Sequence, residues 1–245
     1  DCKYSSITNL AVLGPEFVKR MKRELPLLTF MTSIMCIRVG ISLDGFYGGM
    51  RESVNLYTAP NNSVLQLEAL NNEGGIPNDC RTDGDLKPDQ PIIIAFDANA
   101  LINWLVCGQV GDDGKLRVLK SFFVKYDRKL EELCEDFMAY YYYHRTHRVI
   151  FYYDSTFLSQ EYASSRGQSF ASIIKSMYRR HQWAVREKYI GNPWDHVKKN
   201  ELINRMFQGR AQHQVLINRD NNPDLLISIQ SAGVRNGKKD KSGEI

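Results

Sequence analysis

Two apolar stretches of this chain each end on an aspartate. Residues 92–98 read IIIAFDA and residues 148–154 read RVIFYYD, which puts Asp97 and Asp154 at the ends of the two stretches. Runs rich in Ile, Val and aromatic residues are typical of strands inside a β-sheet, where an unpaired charge costs several kcal/mol. The pattern therefore predicts that two carboxylates meet at one edge of a sheet, a place that divalent cations commonly occupy.

The segments around these stretches have a readable order. A GDDG turn at 111–114 predicts a hairpin, and apolar residues at helical spacing from Leu130 to Tyr141 predict a helix. Further strands and helices follow from the same kind of pattern. The strands are predicted at 91–99, 101–110, 115–125, 148–153, 183–190 and 214–217, and the other helices at 15–25, 170–181 and 193–208.

This order of elements predicts an α/β protein with the ribonuclease H-like fold. In that fold a central mixed sheet, made of three antiparallel strands extended by parallel strands, is flanked by helices. The first and fourth strands of the fold are neighbours. Asp97 and Asp154 are therefore expected to lie side by side.

Residues 58–90 separate this predicted domain from the start of the chain. They are rich in Pro, Gly and Asn, a composition typical of loops and linkers. We therefore predict that residues 91–245 form the ribonuclease H-like domain and residues 58–90 a loop or linker. Residues 1–57 are expected to be a linker, an N-terminal extension or the end of a preceding domain.

Charge is distributed unevenly along the chain. The net charge is +4, but residues 166–245 hold 15 Lys and Arg against 7 Asp and Glu, whereas the first 165 residues hold 17 against 21. A basic C-terminal part beside acidic strand ends suits a protein that handles phosphodiesters. The alternative is that these Lys and Arg residues only solvate helix surfaces.

The sequence also bears on the compartment. The apolar runs are too short to span a membrane, the five cysteines contain no CxxC pair, and the chain opens at Asp1 without a signal sequence. We therefore expect a piece of a longer polypeptide that is not secreted, with reduced thiols and no zinc site.

Two adjacent carboxylates permit phosphodiester hydrolysis with divalent cations. Two Mg²⁺ or Mn²⁺ ions about 3.5–4 Å apart can neutralise phosphoryl oxygens, activate a water and stabilise the leaving oxygen. In this scheme Asp97 bridges both ions, Asp154 holds one of them, and Asp240 in the Lys-rich stretch KKDKSGE is the candidate third ligand. Alternatively, Asp154 could cap a short helix, because Ser155 and Thr156 follow it.

Several motifs resemble the nuclease half of the large terminase subunit of tailed bacteriophages. FDAN at 96–99 and YYDST at 152–156 resemble the strands that carry the family's first and second metal ligands. FASIIK at 170–175 is similar to the helix that follows, and the Lys-rich segment at 238–242 is similar to a late family segment. Residues 17–26 and GFY further on resemble the link from the motor domain to the nuclease.

The resemblance implies a Mg²⁺- or Mn²⁺-dependent endonuclease that cuts concatemeric duplex DNA during capsid filling in the host cytoplasm. Implied partners are double-stranded DNA, the portal protein, the small terminase subunit and an ATPase motor domain in cis. No GxxxxGK[ST] loop is present in this sequence, so no ATPase activity is expected from it.

One departure from the family concerns the last metal ligand. The family's last carboxylate lies in a pattern like DAxD, which this sequence lacks. Either Asp240 takes that role or the ligand lies outside this sequence, and in the second case weak metal binding and slow cleavage are expected. Asn99 and Ser155 are expected to tune the metal ligands. The residues expected to contact DNA phosphates are Lys175, Arg179, Arg180, Lys238, Lys239 and Lys241.

Two other functions stay open on the sequence. The chain could be a catalytically idle ribonuclease H-like module that binds DNA or protein in a packaging machine. A sugar-kinase or actin-like ATPase shares the core topology, but it needs a Gly-rich phosphate hairpin after the first strand. Residues 101–107 offer no such hairpin.

Overall fold

The computed structural model describes residues 10–24, 34–35, 45–71, 77–98, 102–126, 128–159, 167–235 and 238–239. The chain forms two compact units. One, the sheet unit, runs from Gly49 to Leu226, and the other combines residues 1–48 with residues 227–245.

A seven-stranded mixed sheet forms the centre of the sheet unit. Its strands are β1 (Leu56–Tyr57), β2 (Ile92–Ala98), β3 (Ile102–Val110), β4 (Leu116–Lys125), β5 (Arg148–Tyr153), β6 (Ala184–Tyr189) and β7 (Val215–Asn218). They lie in the order β1-β7-β4-β3-β2-β5-β6. Strands β2, β3 and β4 are antiparallel, β5 and β6 extend one side in parallel, and β7 and β1 extend the other side in parallel.

The order β4-β3-β2-β5-β6 is the predicted ribonuclease H-like arrangement, so the fold class is confirmed. The strands predicted between residues 91 and 217 are present to within one residue at each end. Strand β1 was not predicted, because two residues are too few to show the alternation by which a strand is recognised.

Helices connect and flank the strands. In the sheet unit they are α3 (Glu52–Asn55), α4 (Asn62–Asn71), α5 (Leu130–Tyr140), α6 (Phe170–Arg180) and α7 (His196–Phe207), and α8 (Pro223–Ser231) begins there. The other unit contains α1 (Leu10–Leu13), α2 (Pro15–Glu24) and an antiparallel pair, β8 (Val234–Arg235) and β9 (Lys238–Lys239). Among the described residues, no helix has the length and apolar character that crossing a membrane requires.

The segment predicted as a loop or linker, residues 58–90, contains helix α4 and a 3-10 turn at Cys80–Thr82. Its Pro60 pairs with Asp83 in an isolated bridge, and Asn61 N donates a hydrogen bond of 2.8 Å to the carbonyl of Thr82. The two ends of the segment are thus joined to each other. The roles predicted for residues 1–57, 58–90 and 91–245 stay predictions.

Helices α5 and α6 pack on one face of the sheet, which we call the helix face. Helix α5 begins after Lys129, whose backbone N–H donates to the Glu132 side chain at 2.8 Å. Its predicted apolar positions are buried, and Phe137 is fully inaccessible. They form one core with Ile92 and Ile94 of β2 and with Phe151 of β5. This core fixes which side chains of β2 and β5 point toward the helices.

A buried polar cluster lies at the border of this core. Asp83, only 8% exposed, accepts hydrogen bonds from the hydroxyl of Tyr140 at 2.9 Å and from Nδ2 of Asn221 at 2.7 Å. Burial raises the pKa of Asp83 from 3.8 to about 6, although the hydrogen bonds from Asn221 and Tyr140 oppose the shift. Burial also lowers the pKa of Lys120, whose ammonium lies 4.2 Å from the Tyr140 ring centroid.

We expect this carboxyl to make folding stability depend on pH. Because the pKa of Asp83 is higher in the folded state, the folded protein holds a proton that the unfolded chain releases. The free energy of unfolding should therefore fall as the pH rises from about 4 to about 6, by on the order of 2–3 kcal/mol relative to Asp83→Asn. Urea unfolding of both proteins across this range measures the difference. A difference in unfolding free energy between the two proteins that stays constant from pH 4 to pH 6 would contradict a raised pKa of Asp83.

Candidate active site

Asp97 and Asp154 are brought together by the register of two parallel strands. Strand β2 pairs with β5, and the last pair of the ladder is Ala95 with Tyr152. Asp97 follows Ala95 by two residues and Asp154 follows Tyr152 by two residues. Extended by two residues beyond this last pair, the register puts Asp97 beside Asp154, with their Cα atoms one strand spacing of about 4.8 Å apart.

Both carboxylates belong to the sheet face opposite the helices, which we call the carboxylate face. Side chains alternate along a strand, and Ile92 and Ile94 occupy the helix face, so Ala95 and Asp97 point away from it. On β5, Phe151 and Tyr153 occupy the helix face, and Asp154 follows in an extended conformation. The two carboxylates thus share one face at one end of neighbouring strands.

Asp97 is exposed on this face. In the described part of the chain its carboxylate has no hydrogen-bond or ion-pair partner. The desolvation cost expected for an aspartate on an interior strand is therefore avoided, because the strand is central but this face of it reaches solvent. An exposed carboxylate without a partner can act as a metal ligand.

Asp154 combines a structural contact with a free oxygen. It precedes the 3-10 turn Ser155–Leu158, and its Oδ1 accepts hydrogen bonds from the backbone N–H of Thr156 at 2.9 Å and from the Thr156 hydroxyl at 2.5 Å. The capping alternative raised by the sequence is thus confirmed for Oδ1. Within the described residues Oδ2 has no partner, so the cap orients the carboxylate and leaves one oxygen for a ligand.

The chain after β6 holds this turn in place. Ile190 N donates to the carbonyl of Tyr153 at 2.9 Å, and Ser155 N donates to the carbonyl of Gly191 at 2.8 Å. Gly191 has a φ of +81°, a conformation that glycine adopts without strain. Backbone hydrogen bonds on both sides of Asp154 therefore fix its position relative to β6.

A third acidic ligand does not join the pair among the described residues, where no three His, Cys, Asp or Glu side chains converge. Asp240, the candidate third ligand, lies outside the described residues, as do Asn99 and Lys241. Glu187 on β6 lies on the helix face, where its carboxylate accepts from the Tyr153 hydroxyl at 2.8 Å and pairs with Lys175 at 3.1 Å. The Tyr153 hydrogen bond lowers the pKa of Glu187.

Three of the cations that the sequence predicted as DNA contacts lie on the opposite side of the sheet from the carboxylates. Lys175, Arg179 and Arg180 are on α6, which packs on the helix face, and Arg179 and Arg180 occupy its last turn, where positive charge stabilises a helix. Lys238 and Lys239 form β9 in the other compact unit. The structure does not bring the three cations of α6 to the carboxylate face, and the DNA contacts predicted for Lys238 and Lys239 stay predictions.

Two basic residues that the sequence analysis did not single out lie on the carboxylate face. In the register of β5 with β6, Arg186 pairs with Ile150 and Lys188 pairs with Tyr152. Tyr152 and Asp154 point to the same face of the sheet, so Lys188 and Arg186 do as well. The alternation of side chains along a strand predicts from sequence that Arg186 and Lys188 point to one face of the sheet and Glu187 to the other. Only the pairing of β6 with β5 shows that Arg186 and Lys188 share the face of Asp154.

Two solved structures that overlap with this chain are Holliday junction resolvases. The fowlpox virus enzyme overlaps with a TM-score of 0.32 at 12% identity, over 56% of this chain and 84% of that chain. T. thermophilus RuvC in complex with a Holliday junction substrate overlaps with a TM-score of 0.30 at 15% identity, over 50% of this chain and 85% of that chain. No protein-family model and no curated protein matches the sequence. The ribonuclease H-like fold of this chain is given by the order and directions of its strands.

Proposed function

We propose that this chain is a metal-dependent DNA endonuclease domain. The observation that carries the proposal is the register of β2 with β5, which sets Asp97 beside Asp154 on an exposed face of a ribonuclease H-like sheet. Carboxylate oxygens are the ligands that Mg²⁺ and Mn²⁺ prefer. The exposed Asp97 carboxylate and Oδ2 of Asp154 fit such a cation, because neither has a partner among the described residues.

In this proposal Asp97 and Asp154 hold the cations and the DNA backbone lies across the carboxylate face. When bound, the cations neutralise the phosphoryl oxygens and lower the pKa of a water that attacks the phosphorus. Thr156 orients Asp154 through its two hydrogen bonds, and the backbone of Gly191 holds the turn that carries it. Asp240 stays the candidate for a third ligand.

The sequence motifs support a narrower version of this function. FDAN at 96–99 and YYDST at 152–156 resemble the metal-ligand strands of phage terminase nucleases. The aspartates of the two motifs end neighbouring strands, where both could bind the same cation. We therefore propose a terminase nuclease that cuts concatemeric duplex DNA in the host cytoplasm. Its partners would be the portal protein, the small terminase subunit and a motor domain in cis.

The second candidate is a catalytically idle module of the same fold that binds DNA or protein. The absence of a third acidic side chain beside Asp97 and Asp154, among the residues that the structure describes, favours it. Such a module would bind DNA equally well with or without a chelator.

Metal titration and plasmid nicking separate the two candidates. We expect Mn²⁺ to bind the purified chain saturably in a calorimetric titration, and supercoiled plasmid to be nicked with Mn²⁺ but not with EDTA. Titrating Ca²⁺ tests whether an oxygen-ligand cation that supports little catalysis occupies the same site. Absence of both Mn²⁺ binding and nicking would reject the nuclease in favour of the idle module.

A further inference from the structure

Strand β6 carries two basic side chains on the carboxylate face. Val185 packs against the core on the helix face, and Glu187 contacts Tyr153 and Lys175 on that same face. Because side chains alternate along a strand, Arg186 and Lys188 point to the opposite face, the one that carries Asp97 and Asp154.

These two cations have no acidic partner in the described part of the chain. Arg186 is exposed and Lys188 is half-buried, and neither takes part in an ion pair there. The nearest acid along the strand, Glu187, is held on the other face by Lys175 at 3.1 Å. Arg148, which is exposed at the start of β5, likewise forms no described ion pair. Within the described residues, the positive charge on this part of the sheet therefore has no ion-pair partner.

The spacing places this charge beside the two carboxylates. Lys188 pairs with Tyr152, so its Cα lies one strand spacing and two residues from Asp154, a separation of about 8 Å. Arg186 is two residues further along, about 6–7 Å from Lys188. Tyr152, 40% exposed, is paired with Lys188 and precedes Asp154 by two residues on the same face, where it offers an aromatic surface on which a base or sugar can stack.

We propose that Arg186 and Lys188 bind the DNA backbone and lead it along β5 and β6 to Asp97 and Asp154. The inference rests on the proposed nuclease function and names the surface that the substrate uses. The charges on this surface favour a nucleic acid as the ligand. Its phosphates can bind the basic side chains, which have no ion-pair partner among the described residues, and the same strands lead to the two carboxylates that we propose bind metal. Lys175, Arg179 and Arg180, on the helix face, have no such role in this arrangement.

A different role for the same charges is protection of the sheet edge. Among the described strands β6 is the outermost on its side of the sheet, and charged residues on edge strands prevent pairing with another copy of the chain. In that case removing the charges would cause self-association without a change in DNA affinity.

DNA binding in the presence of EDTA tests the proposal without requiring cleavage. Fluorescence anisotropy with a labelled duplex, at several salt concentrations, compares the wild-type chain with the double variant Arg186→Gln/Lys188→Gln. We expect the Kd to rise roughly tenfold and the slope of log K against log salt to fall by about 1.8, which is about 0.9 for each lost phosphate contact. The glutamines keep much of the side-chain length, so that the strand retains its packing.

The matched control is Arg179→Gln/Arg180→Gln, which removes the same charge from an exposed site on the helix face. We expect its Kd to stay within about twofold of the wild-type value, and its salt slope to stay the same. Equal losses of DNA affinity in the two double variants would overturn the proposal. So would a β6 variant that binds DNA with wild-type affinity, or one whose sole defect is self-association. An Arg186→Ala/Lys188→Ala variant with an unchanged melting temperature serves as a check that folding is intact.

The outcomes also separate this inference from the proposed function. If the wild-type chain nicks plasmid with Mn²⁺ but the β6 variant binds DNA normally, the nuclease stands and the DNA path is wrong. If the wild-type chain binds DNA through β6 but neither binds Mn²⁺ nor nicks plasmid, the path stands and the nuclease fails. A wild-type chain that binds no DNA in EDTA would overturn the path.

Discussion

Asp97→Asn should abolish metal-dependent nicking of supercoiled plasmid while leaving the protein folded. The amide has nearly the shape of the carboxylate but lacks its charge, so a cation would lose an anionic ligand and bind more weakly. The negative charge on the phosphoryl oxygens would then be less stabilised in the transition state. A loss of several kcal/mol there corresponds to a rate decrease of roughly 10³-fold or more. The measurement is the nicking rate with Mn²⁺, accompanied by a thermal unfolding curve.

The fold should tolerate this change because Asp97 is exposed and has no partner among the described residues.

Asp154→Asn is expected to lose nicking to a similar degree. Because Asn also caps helical turns well, the variant should lose little stability. Asp79 provides a matched control. It caps the 3-10 turn Cys80–Thr82 by accepting from Arg81 N at 3.0 Å, in the way that Asp154 caps its own turn.

Asp79→Asn therefore removes the charge of a capping aspartate at another place in the sheet unit. We expect this variant to nick plasmid at the wild-type rate. Nicking that survives in Asp97→Asn, or that is lost equally in Asp79→Asn, would show that the carboxylate pair is not the metal site.

Phe137→Ala should destabilise the protein by about 3–5 kcal/mol, the range for removing a large buried ring. Phe137 is fully inaccessible and lies at the centre of the aromatic part of the core. Its ring centroid is 4.8 Å from that of Tyr141 and 5.2 Å from those of Tyr178 and Trp183. The change would leave a cavity between α5, α6 and the sheet, and urea unfolding measures its cost.

Phe123→Ala removes the same atoms from the opposite face of the sheet and serves as the control. Phe123 is half-buried, and its ring stacks on Trp104 at 4.7 Å, with the Lys125 ammonium 5.2 Å from its centroid. Because solvent can fill the space that it leaves, we expect a cost of roughly 1–2 kcal/mol. Equal costs at the two positions would mean that the helix face does not hold the main core.

Much of the sheet could be predicted from the sequence because its signals are local. The apolar runs of β2 and β5, the Gly-Asp-Asp-Gly turn and the helical spacing of Leu130, Leu133 and Phe137 each depend on residues close together in the chain. The same is true of Asp97 and Asp154, which were recognised by the strands that they end. Helix α4 was missed because the Pro, Gly and Asn residues around it dominated the composition of its segment.

The positions of the basic residues show where local signals are insufficient. Lys175, Arg179 and Arg180 stand out in the sequence as a basic group, yet the apolar side of α6 buries against the helix face and turns them away from the carboxylates. Arg186 and Lys188 are inconspicuous beside Glu187. Their position on the carboxylate face depends on the pairing of β6 with β5, a contact between residues more than thirty positions apart.

Local patterns of burial and turn formation were thus enough to predict strands β2 to β7, helices α2, α5, α6 and α7, their order and the two aspartates that end β2 and β5. Packing decided the face of the sheet to which each side chain points. The sequence of a strand divides its side chains into two alternating sets, one for each face, but it does not say which set lies on which face. Which set is buried depends on where α5 and α6 lie, and which charges share a face with Asp97 and Asp154 depends on strand register. Both are long-range properties, and they alone bring the carboxylates, Arg186 and Lys188 onto one surface.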